Sequence, residues 1–205
     1  MKRTKIKICG LFRSADIEYA NEVQPDYAGF ILTPGFRRSI SREQALQLRR
    51  KLNREIPAVG VFVDAPCEEV VDYLKKGIIQ MAQLHGRETE KEILYIKAAA
   101  GKPVLKAVKV QDRKDVEAWL GSAADYLVFD GGTGSGRTFD WRLLEGISED
   151  YFLAGGLNPG NLKEALALRP YAVDLSSGVE TEGVKDRAKM QAVVELVRNH
   201  FRLNE

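Results

Sequence analysis

The stretch YFLAGGLNPGNLKEALALRPYAVDLSSGVE (residues 151–180) contains a complete strand–helix–strand unit. An aromatic and aliphatic run at 151–155 leads into two glycines, and NLKEALALR at 161–169 has apolar residues at helical spacing. A second apolar run, YAVDLS at 171–176, follows and ends in serines and a glycine. This order is typical of βαβ units, which build parallel sheets.

Strand-like runs recur along the whole chain, with segments of helical period between them. The predicted strands are TKIKIC (4–9), DYAGFIL (26–32), AVGVFV (58–63), IIQMAQLH (78–85), PVLKAVKV (103–110), DYLVFD (125–130), YFLAG (151–155) and YAVDLS (171–176). The helical segments include 41–52, 67–77, 112–121, 161–169 and 185–201. We therefore expect eight strands in one parallel sheet, each followed by a helix.

Eight units favour closure of the sheet into a barrel. The alternative is an open doubly wound sheet, which has about five or six strands. No linker or break in composition divides the sequence, so we expect one α/β domain over residues 1–205, a (β/α)8 or TIM barrel of small size. Two helix starts are predicted: Ser41 with Gln44 forms a capping box, and Asn158 before Pro159 fits an N-cap.

The composition argues against several function classes. The 205 residues have a net charge of +2, which gives no electrostatic reason to expect a nucleic acid or an anionic membrane as partner. No apolar stretch approaches the roughly 20 residues of a membrane-spanning helix. The two cysteines, Cys9 and Cys67, and the two histidines lack the spacing of a disulfide framework or a metal site. We expect a cytoplasmic protein that holds no metal.

Polar residues and glycines gather where the predicted strands end. In a (β/α)8 barrel these C-terminal strand ends carry the binding and catalytic residues. The positions are Cys9, the loop 33–39, Asp64, His85, Asp130 followed by GGTGSGR, Gly155 with Gly156, and Asp174 followed by SSG. We therefore expect the functional site at this end of the barrel.

Strand 1 has two faces of different character. Ile6 and Ile8 share one face, and Lys5, Lys7 and Cys9 share the other. The surrounding helices favour the isoleucines, so the lysine and cysteine face is expected to point into the barrel. Most free cysteines are small buried apolar residues. The position of Cys9 at a strand end, beside lysines, favours a functional role over that alternative.

Two further strand-end residues each allow two interpretations. Asp130 either caps the loop that follows it or is an acid that a partly apolar pocket keeps protonated. His85 either stacks on a substrate or is a strand-end histidine hydrogen-bonded to the backbone. The residues alone do not separate these alternatives.

The last two strands end in loops suited to an anion. Gly155 and Gly156 precede a helix start with free N–H groups, and Ser177 and Gly178 follow the next strand. Barrel enzymes commonly bind a phosphate in the loops after strands 7 and 8. We predict a phosphate site here; the alternative is that both loops are only tight turns.

Seven short motifs in order resemble the phosphoribosylanthranilate isomerase family. They are KICG (7–10), RSIS (38–41), VGVFV (59–63), QLHG (83–86), TFDW (138–141), GGLNP (155–159) and DLSSGVE (174–180). The resemblance implies a single-domain (β/α)8 barrel of tryptophan biosynthesis. It also implies an Amadori rearrangement of N-(5-phosphoribosyl)anthranilate to 1-(2-carboxyphenylamino)-1-deoxyribulose 5-phosphate, without a cofactor.

The same resemblance implies roles for individual residues. Cys9 falls on the general base of the family and Asp130 on its general acid. Arg38 falls on the residue that binds the anthranilate carboxylate, and Asp174 on an aspartate near the polar end of the ligand. Lys7 is expected to bind near the substrate and to make the Cys9 thiol more acidic.

Further residues complete the expected site. Gly134 and Gly136 are expected to contact the phosphate, together with Gly155, Gly156, Ser177 and Gly178, and His85 is expected to contact the substrate. The only expected partner is the small phosphosugar–anthranilate substrate, and the chain is expected to be a monomer or a homodimer.

Two rival functions remain at this point. The histidine-pathway Amadori enzyme has two similar half-barrels with an aspartate at two equivalent strand ends. Here strand 1 ends in Cys9 and no half-to-half repeat is visible. A non-catalytic phosphosugar sensor would have little reason to keep both Cys9 and Asp130, so the isomerase is favoured.

Overall fold

The computed structural model describes residues 3–132 and 138–202, and its main sheet is a closed barrel. The eight strands are β1 (Lys5–Ile8), β2 (Tyr27–Ile31), β3 (Ala58–Phe62), β4 (Met81–Leu84), β5 (Val104–Lys109), β6 (Tyr126–Asp130), β7 (Tyr151–Leu153) and β8 (Ala172–Leu175). They pair in parallel in chain order, and β1 also pairs with β8. The predicted (β/α)8 barrel is confirmed and the open sheet is excluded.

Helices surround the barrel. They are α1 (Ser14–Val23), α2 (Arg42–Lys51), α3 (Cys67–Lys75), α4 (Glu90–Ala100), α5 (Arg113–Glu117), α6 (Leu162–Ala167) and α7 (Arg187–Arg202). A short antiparallel hairpin of β9 (Glu180–Thr181) and β10 (Val184–Lys185) lies between β8 and α7. None of the described helices combines the length and the apolar character that crossing a membrane requires.

The segment after β6 departs from the expected repeat. Among the described residues, a single 3-10 turn at Trp141–Leu144 stands where each other strand is followed by an α-helix. Asp140 caps this turn by accepting a hydrogen bond from the Arg142 N–H. Gly146, with φ of +78°, redirects the chain soon afterwards, because glycine adopts this conformation without steric cost. The expectation of a helix after every strand is therefore wrong here.

One of the two predicted helix starts is confirmed and the other is wrong. The Ser41 side chain accepts from the Gln44 N–H, and the Gln44 side chain accepts from the Ser41 N–H, as the capping box predicts. Helix α6 begins only at Leu162. Asn158 instead accepts a hydrogen bond from the Gly160 N–H, which closes a turn before the helix.

The strand side chains alternate between two apolar layers, as the period of a strand requires. Ile6 and Ile8 are buried in the large layer that also contains residues of the surrounding helices. Lys7 and Cys9, on the opposite face of β1, are also buried. The inner layer of the barrel consists of Tyr27, Val59, Met81, Leu105, Ala107, Val128, Phe152, Ala154 and Ala172. The predicted inward direction of Lys7 and Cys9 is therefore confirmed.

The N-terminal end of the barrel is closed by a group of three tyrosines around Lys5. Lys5 Nζ donates to the hydroxyl oxygens of Tyr171 at 2.8 Å and Tyr27 at 3.2 Å. Tyr126 donates to the Tyr171 oxygen at 3.2 Å, and the two rings stack with centroids 4.6 Å apart. This end of the barrel is filled by side chains that bond to one another.

Candidate active site

A cavity of about 420 Å³ opens at the C-terminal end of the barrel. Eight of the residues predicted for the site border it: Cys9, Arg38, His85, Asp130, Gly155, Gly156, Asp174 and Ser177. These residues come from the ends of six different strands and from the loops after them. Closure of the barrel brings them together, as the strand-end argument predicts. Gly134 and Gly136 lie outside the described residues.

A buried ion pair lies beneath the site: Asp174 borders the cavity, whereas Lys7, predicted to bind near the substrate, is fully buried behind it. Lys7 on β1 lies directly opposite Asp174 on β8, and Lys7 Nζ donates to Asp174 Oδ2 at 2.6 Å. Burial acts to lower the pKa of Lys7, but the Asp174 carboxylate beside it outweighs that effect and raises the pKa. Lys7 therefore stays protonated and provides a fixed positive charge beside Cys9.

The Cys9 thiol is subject to two opposing effects. Burial raises its pKa, while the neighbouring Lys7 ammonium acts to lower it, and burial is the stronger effect. From the sequence, Lys7 is expected to make the thiol more acidic. It does act to lower the pKa of Cys9, but burial raises that pKa by more. In the free protein Cys9 is therefore mainly a thiol at neutral pH.

Asp130 at the end of β6 makes a local contact and also faces the cavity. Its Oδ1 accepts a hydrogen bond from the Gly132 N–H at 2.9 Å, so the loop-capping interpretation is confirmed. Its Oδ2 lies 3.7 Å from His85 Nε2. Because one oxygen serves the loop and the other faces the site, capping does not exclude a role in proton transfer.

The His85 ring contacts the side chain of Gln83 on β4, the strand that it follows. Its Nδ1 lies 3.3 Å from the Gln83 amide nitrogen, two residues earlier on the same inward face. Burial lowers the pKa of His85 although Asp130 acts to raise it, which favours the neutral ring. If the amide donates to Nδ1, the ring proton is on Nε2 and points towards Asp130. Stacking on a ligand remains a prediction.

Two buried acceptors at the cavity lack hydrogen-bond partners among the described residues. They are Asp174 Oδ1 and Gln83 Oε1. Buried polar atoms are nearly always bonded, so these two acceptors can take hydrogen bonds from a ligand or from water in the cavity. The sequence-based site did not include Gln83. Its alternation with His85 in the motif QLHG is the signal that places it on the inward face.

The loops after β7 and β8 touch each other at the rim of the cavity. A Cβ at Gly178 would lie 1.9 Å from the Leu157 carbonyl oxygen, so only glycine fits there. Gly155 has φ of +85° and a Cβ on it would lie 2.5 Å from the Gly131 nitrogen. Gly155, Gly156 and Ser177 border the cavity, whereas Gly178 serves the contact between the loops. The predicted phosphate site has the expected position, and its ligand contacts stay a prediction.

Arg38 enters the cavity from the loop after β2. Its Nη1 donates to Glu180 Oε1 at 2.7 Å, and its stem crosses Gly10, where a Cβ would lie 2.8 Å from Arg38 Cδ. Glu180 also accepts from Lys185 Nζ at 2.7 Å. The sequence-based site missed both Glu180 and Lys185; the signal for Glu180 was its place at the end of the motif DLSSGVE.

Comparison with known proteins finds matches in both sequence and structure. Residues 6–196 match the family model of N-(5'phosphoribosyl)anthranilate (PRA) isomerase. An N-(5'-phosphoribosyl)anthranilate isomerase of Thermoanaerobacter sp. (strain X514) is 44% identical over 202 residues, which cover 95% of this chain and 98% of that protein.

Solved structures of similar proteins have the same barrel. A phosphoribosyl anthranilate isomerase from Thermus thermophilus is 37% identical, with a TM-score of 0.85 over 96% of this chain and 99% of that one. A second such isomerase, solved in complex with reduced 1-(o-carboxyphenylamino)-1-deoxyribulose 5-phosphate, is 32% identical, with a TM-score of 0.86 and the same coverage.

Proposed function

Because this chain belongs to the N-(5'-phosphoribosyl)anthranilate isomerase family, whose enzymes act in tryptophan biosynthesis, we propose the reaction and the residue roles that follow. The substrate is N-(5-phospho-β-D-ribosyl)anthranilate and the product is 1-(2-carboxyphenylamino)-1-deoxy-D-ribulose 5-phosphate. The observation that carries the proposal is the presence of Cys9 and Asp130 on the wall of one cavity, beside the fixed charge of Lys7.

Asp130 acts as the general acid. It gives a proton to the ring oxygen of the ribose while the bond from that oxygen to C1 breaks, which leaves an iminium group at C1 and a carboxylate on Asp130. The Oδ2 oxygen of Asp130 faces the site and the His85 ring, which supports this role. His85 stays neutral and holds the carboxyl group in place.

Cys9 acts as the general base. Its thiolate takes the proton from C2, and the electron pair of that C–H bond forms the C1–C2 double bond of an enolamine. Tautomerisation, with a proton added at C1, gives the ketone, so no cofactor is required. Burial raises the pKa of the Cys9 thiol and Lys7 acts to lower it. The positive charge of the iminium group in the opened substrate lowers this pKa as well, and so favours the thiolate.

The remaining polar groups bind the ends of the substrate. Arg38 binds the anthranilate carboxylate, because a guanidinium group can donate two hydrogen bonds to a carboxylate. Asp174 Oδ1 and Gln83 Oε1 accept from ribose hydroxyl groups, and Lys7 holds Asp174 in place. Gly155, Gly156, Ser177, Gly178, Gly134 and Gly136 form the phosphate site after strands 6, 7 and 8.

Single substitutions test the two catalytic roles. We expect Cys9→Ala and Asp130→Asn each to lower kcat by about 10²- to 10⁴-fold while the protein stays folded, because each removes one proton-transfer group. Cys67→Ala is the matched control, since Cys67 begins α3 away from the cavity. Near-normal kcat in either variant, assayed with purified protein and synthetic substrate, would refute the role of that residue.

Complementation distinguishes the rival functions. Expression in a tryptophan auxotroph that lacks this isomerase step should restore growth without tryptophan. Rescue of a histidine auxotroph alone would favour the histidine-pathway reaction, and failure to rescue either strain, with soluble expression, would favour a sensor.

The organisation of the chain is part of the proposal. Residues 1–205 act as one (β/α)8 domain in the cytoplasm, as a monomer or a homodimer that binds neither nucleic acid nor membrane. The continuous barrel from β1 to β8 supports one domain. Light scattering after size-exclusion chromatography measures the mass, and a species larger than a dimer would contradict the proposal.

A further inference from the structure

One carboxylate at the rim of the cavity is surrounded by three cations. Glu180, the first residue of β9, accepts from Arg37 Nη2 at 2.6 Å, Arg38 Nη1 at 2.7 Å and Lys185 Nζ at 2.7 Å. Its side chain is only 4% exposed, and that of Lys185 is 0% exposed. The Glu180 cluster, as we name these four residues, joins the loop after β2 to the hairpin β9–β10.

The Glu180 cluster has an excess of positive charge. With Lys185 protonated, three cations and one carboxylate leave a net charge of 3 − 1 = +2. Burial lowers the pKa of Lys185, although the Glu180 carboxylate acts to raise it. Burial acts to raise the pKa of Glu180, but Lys185 and the two arginines outweigh it and hold the pKa below its usual range, so the group stays ionised. An uncompensated positive charge beside a cavity favours an anionic ligand.

Arg38 is the more restricted of the two arginines in the cluster. Its side chain is 15% exposed, compared with 56% for Arg37 on the same carboxylate. The Arg38 stem lies against Gly10, and Nη1 is its hydrogen-bonding atom within the described part of the chain. Nε lies beside Gly10, where a Cβ would be 2.9 Å from it, so Nη2 is the guanidinium nitrogen that remains available for a second carboxylate.

Lys185 holds Glu180 from the protein side. Its Nζ also donates to the Ser176 carbonyl oxygen at 2.9 Å, and Ser176 Oγ donates to the Cys9 carbonyl oxygen at 3.0 Å. The Glu180 carboxylate is therefore tied to β8 and to the strand that carries Cys9. A carboxylate fixed in this way fixes the guanidinium group that bonds to it.

We propose that Glu180 is a positioning residue, which bonds to Nη1 of Arg38 and so holds the guanidinium group with Nη2 directed at the substrate carboxylate. This inference rests on the proposed role of Arg38 in binding that carboxylate. Glu180 does not touch the substrate and acts through Arg38. Its effect is therefore on substrate binding, and the proton transfers at Cys9 and Asp130 proceed once the substrate is bound.

The test is the kinetics of Glu180→Gln. We expect KM to rise about tenfold or more with kcat within about threefold of the original value, because a charge-assisted contact that orders Arg38 is lost. Glu22→Gln is the matched control, since Glu22 also pairs with an arginine, Arg187, but on the outer surface. An unchanged KM in Glu180→Gln, or an equal rise in Glu22→Gln, would overturn the proposal.

A double-mutant cycle separates this inference from the role of Arg38 itself. Arg38→Ala should raise KM, and Arg38→Ala/Glu180→Gln should raise it no further, because Glu180 acts through Arg38. If the rise in KM of the double variant equals the product of the rises in the two single variants, the two residues act independently. The positioning role of Glu180 is then wrong, while the role of Arg38 stands. An unchanged KM in Arg38→Ala instead refutes the carboxylate-binding role of Arg38 in the proposed function.

A second variant guards against loss of folding. Glu180→Gln leaves the buried Lys185 without its carboxylate, so Glu180→Gln/Lys185→Met removes both members of that pair. Circular dichroism verifies the fold of each variant, and the same rise in KM is expected for both. If neither variant folds, Glu180 is a folding element and the positioning proposal is wrong.

Discussion

Lys5 and Lys7 lie two residues apart on the same face of the same strand, yet they have opposite surroundings. Lys5 donates to the tyrosine hydroxyl groups that close the N-terminal end of the barrel. Lys7 donates to Asp174, a carboxylate whose other oxygen has no partner among the described residues. Lys5 belongs to a group of side chains whose polar atoms bond to one another. Lys7 belongs to a group in which one acceptor, Asp174 Oδ1, has no hydrogen-bond partner among the described residues.

The difference shows that the N-terminal end of the barrel contributes to stability and the C-terminal end to ligand binding. Polar groups that bond to one another stabilise a fold, because no buried donor or acceptor is left over. A ligand-binding site needs the reverse, since an acceptor already occupied cannot bind a substrate hydroxyl group. Within the described ranges 3–132 and 138–202, Asp174 Oδ1 and Gln83 Oε1 are such free acceptors, and both border the cavity at the C-terminal end.

Among the variants that compare the two ends of the barrel, the largest effect is expected from removing the lysine at the C-terminal end. Lys7→Met should lower kcat/KM by about 100-fold or more, because it removes the fixed charge beside Cys9 and Asp174. Lys5→Met should leave kcat/KM unchanged. Steady-state kinetics of both variants measure this, and equal losses would end the distinction between the two lysines.

Lys7→Met also affects stability, so a control is required. Burial raises the pKa of Asp174 while Lys7 acts to lower it, so removing Lys7 favours the protonated carboxyl group, leaves a buried group without its partner and costs some stability. Lys7→Met/Asp174→Asn removes both charges and should regain part of that stability. If kcat/KM recovers with it, the loss in Lys7→Met was structural.

The next effect concerns the glycine that follows Cys9. Gly10→Ala should raise KM by about tenfold, because a Cβ there displaces the Arg38 stem, and the positive φ adds about 1–2 kcal/mol of strain. Gly101→Ala, with φ of +62° and open space around it, should have the strain without the change in KM. If KM rises equally in both variants, backbone strain, and not displacement of the Arg38 stem, is responsible for the change.

A smaller effect is expected on the titration of Cys9. Lys7 acts to lower the pKa of the thiol, so Lys7→Met should raise that pKa further and move the alkylation profile to higher pH. Iodoacetamide alkylation in a Cys67→Ala background measures this shift. Lys5→Met should leave the profile in place, and a shift there would contradict the separation of the two ends.

The smallest effect on activity is expected at the N-terminal end. Tyr171→Phe removes the hydroxyl group that bonds to Lys5, Tyr27 and Tyr126. It should lower the free energy of unfolding in urea by about 1–3 kcal/mol and leave kcat/KM unchanged. A large loss of activity would show that this group also serves the site.

The barrel was predictable because strand and helix periods are local properties of the sequence. Strand parity also placed Cys9 and Lys7 inside the barrel correctly. The 3-10 turn after β6 was not predictable, since Gly146 ends that segment through a conformation that the periodicity does not encode. Helix α6 starts late for a similar reason, because the Asn158 side chain closes a turn first.

The partners of the site residues were harder to predict than their positions. Lys7 and Asp174 are separated by 167 residues, and Arg38 and Glu180 by 142. These pairs form only when distant strands and loops come together as the barrel closes. A single sequence does not show which residues of those segments will lie opposite each other. The balance between burial and Lys7 at Cys9 likewise depends on packing around the thiol, so its outcome required the structure.

The pairing of β1 with β8 has a consequence for synthesis of the chain on the ribosome. Lys7 emerges early, and its partner Asp174 emerges only when most of the polypeptide has been made. Until then both β1 and the growing sheet have an open edge, which favours contacts with other chains. A chain interrupted before Asp174 lacks the β1–β8 pairing and the Lys7–Asp174 ion pair, so we expect premature termination to give aggregation-prone fragments instead of a partly active enzyme.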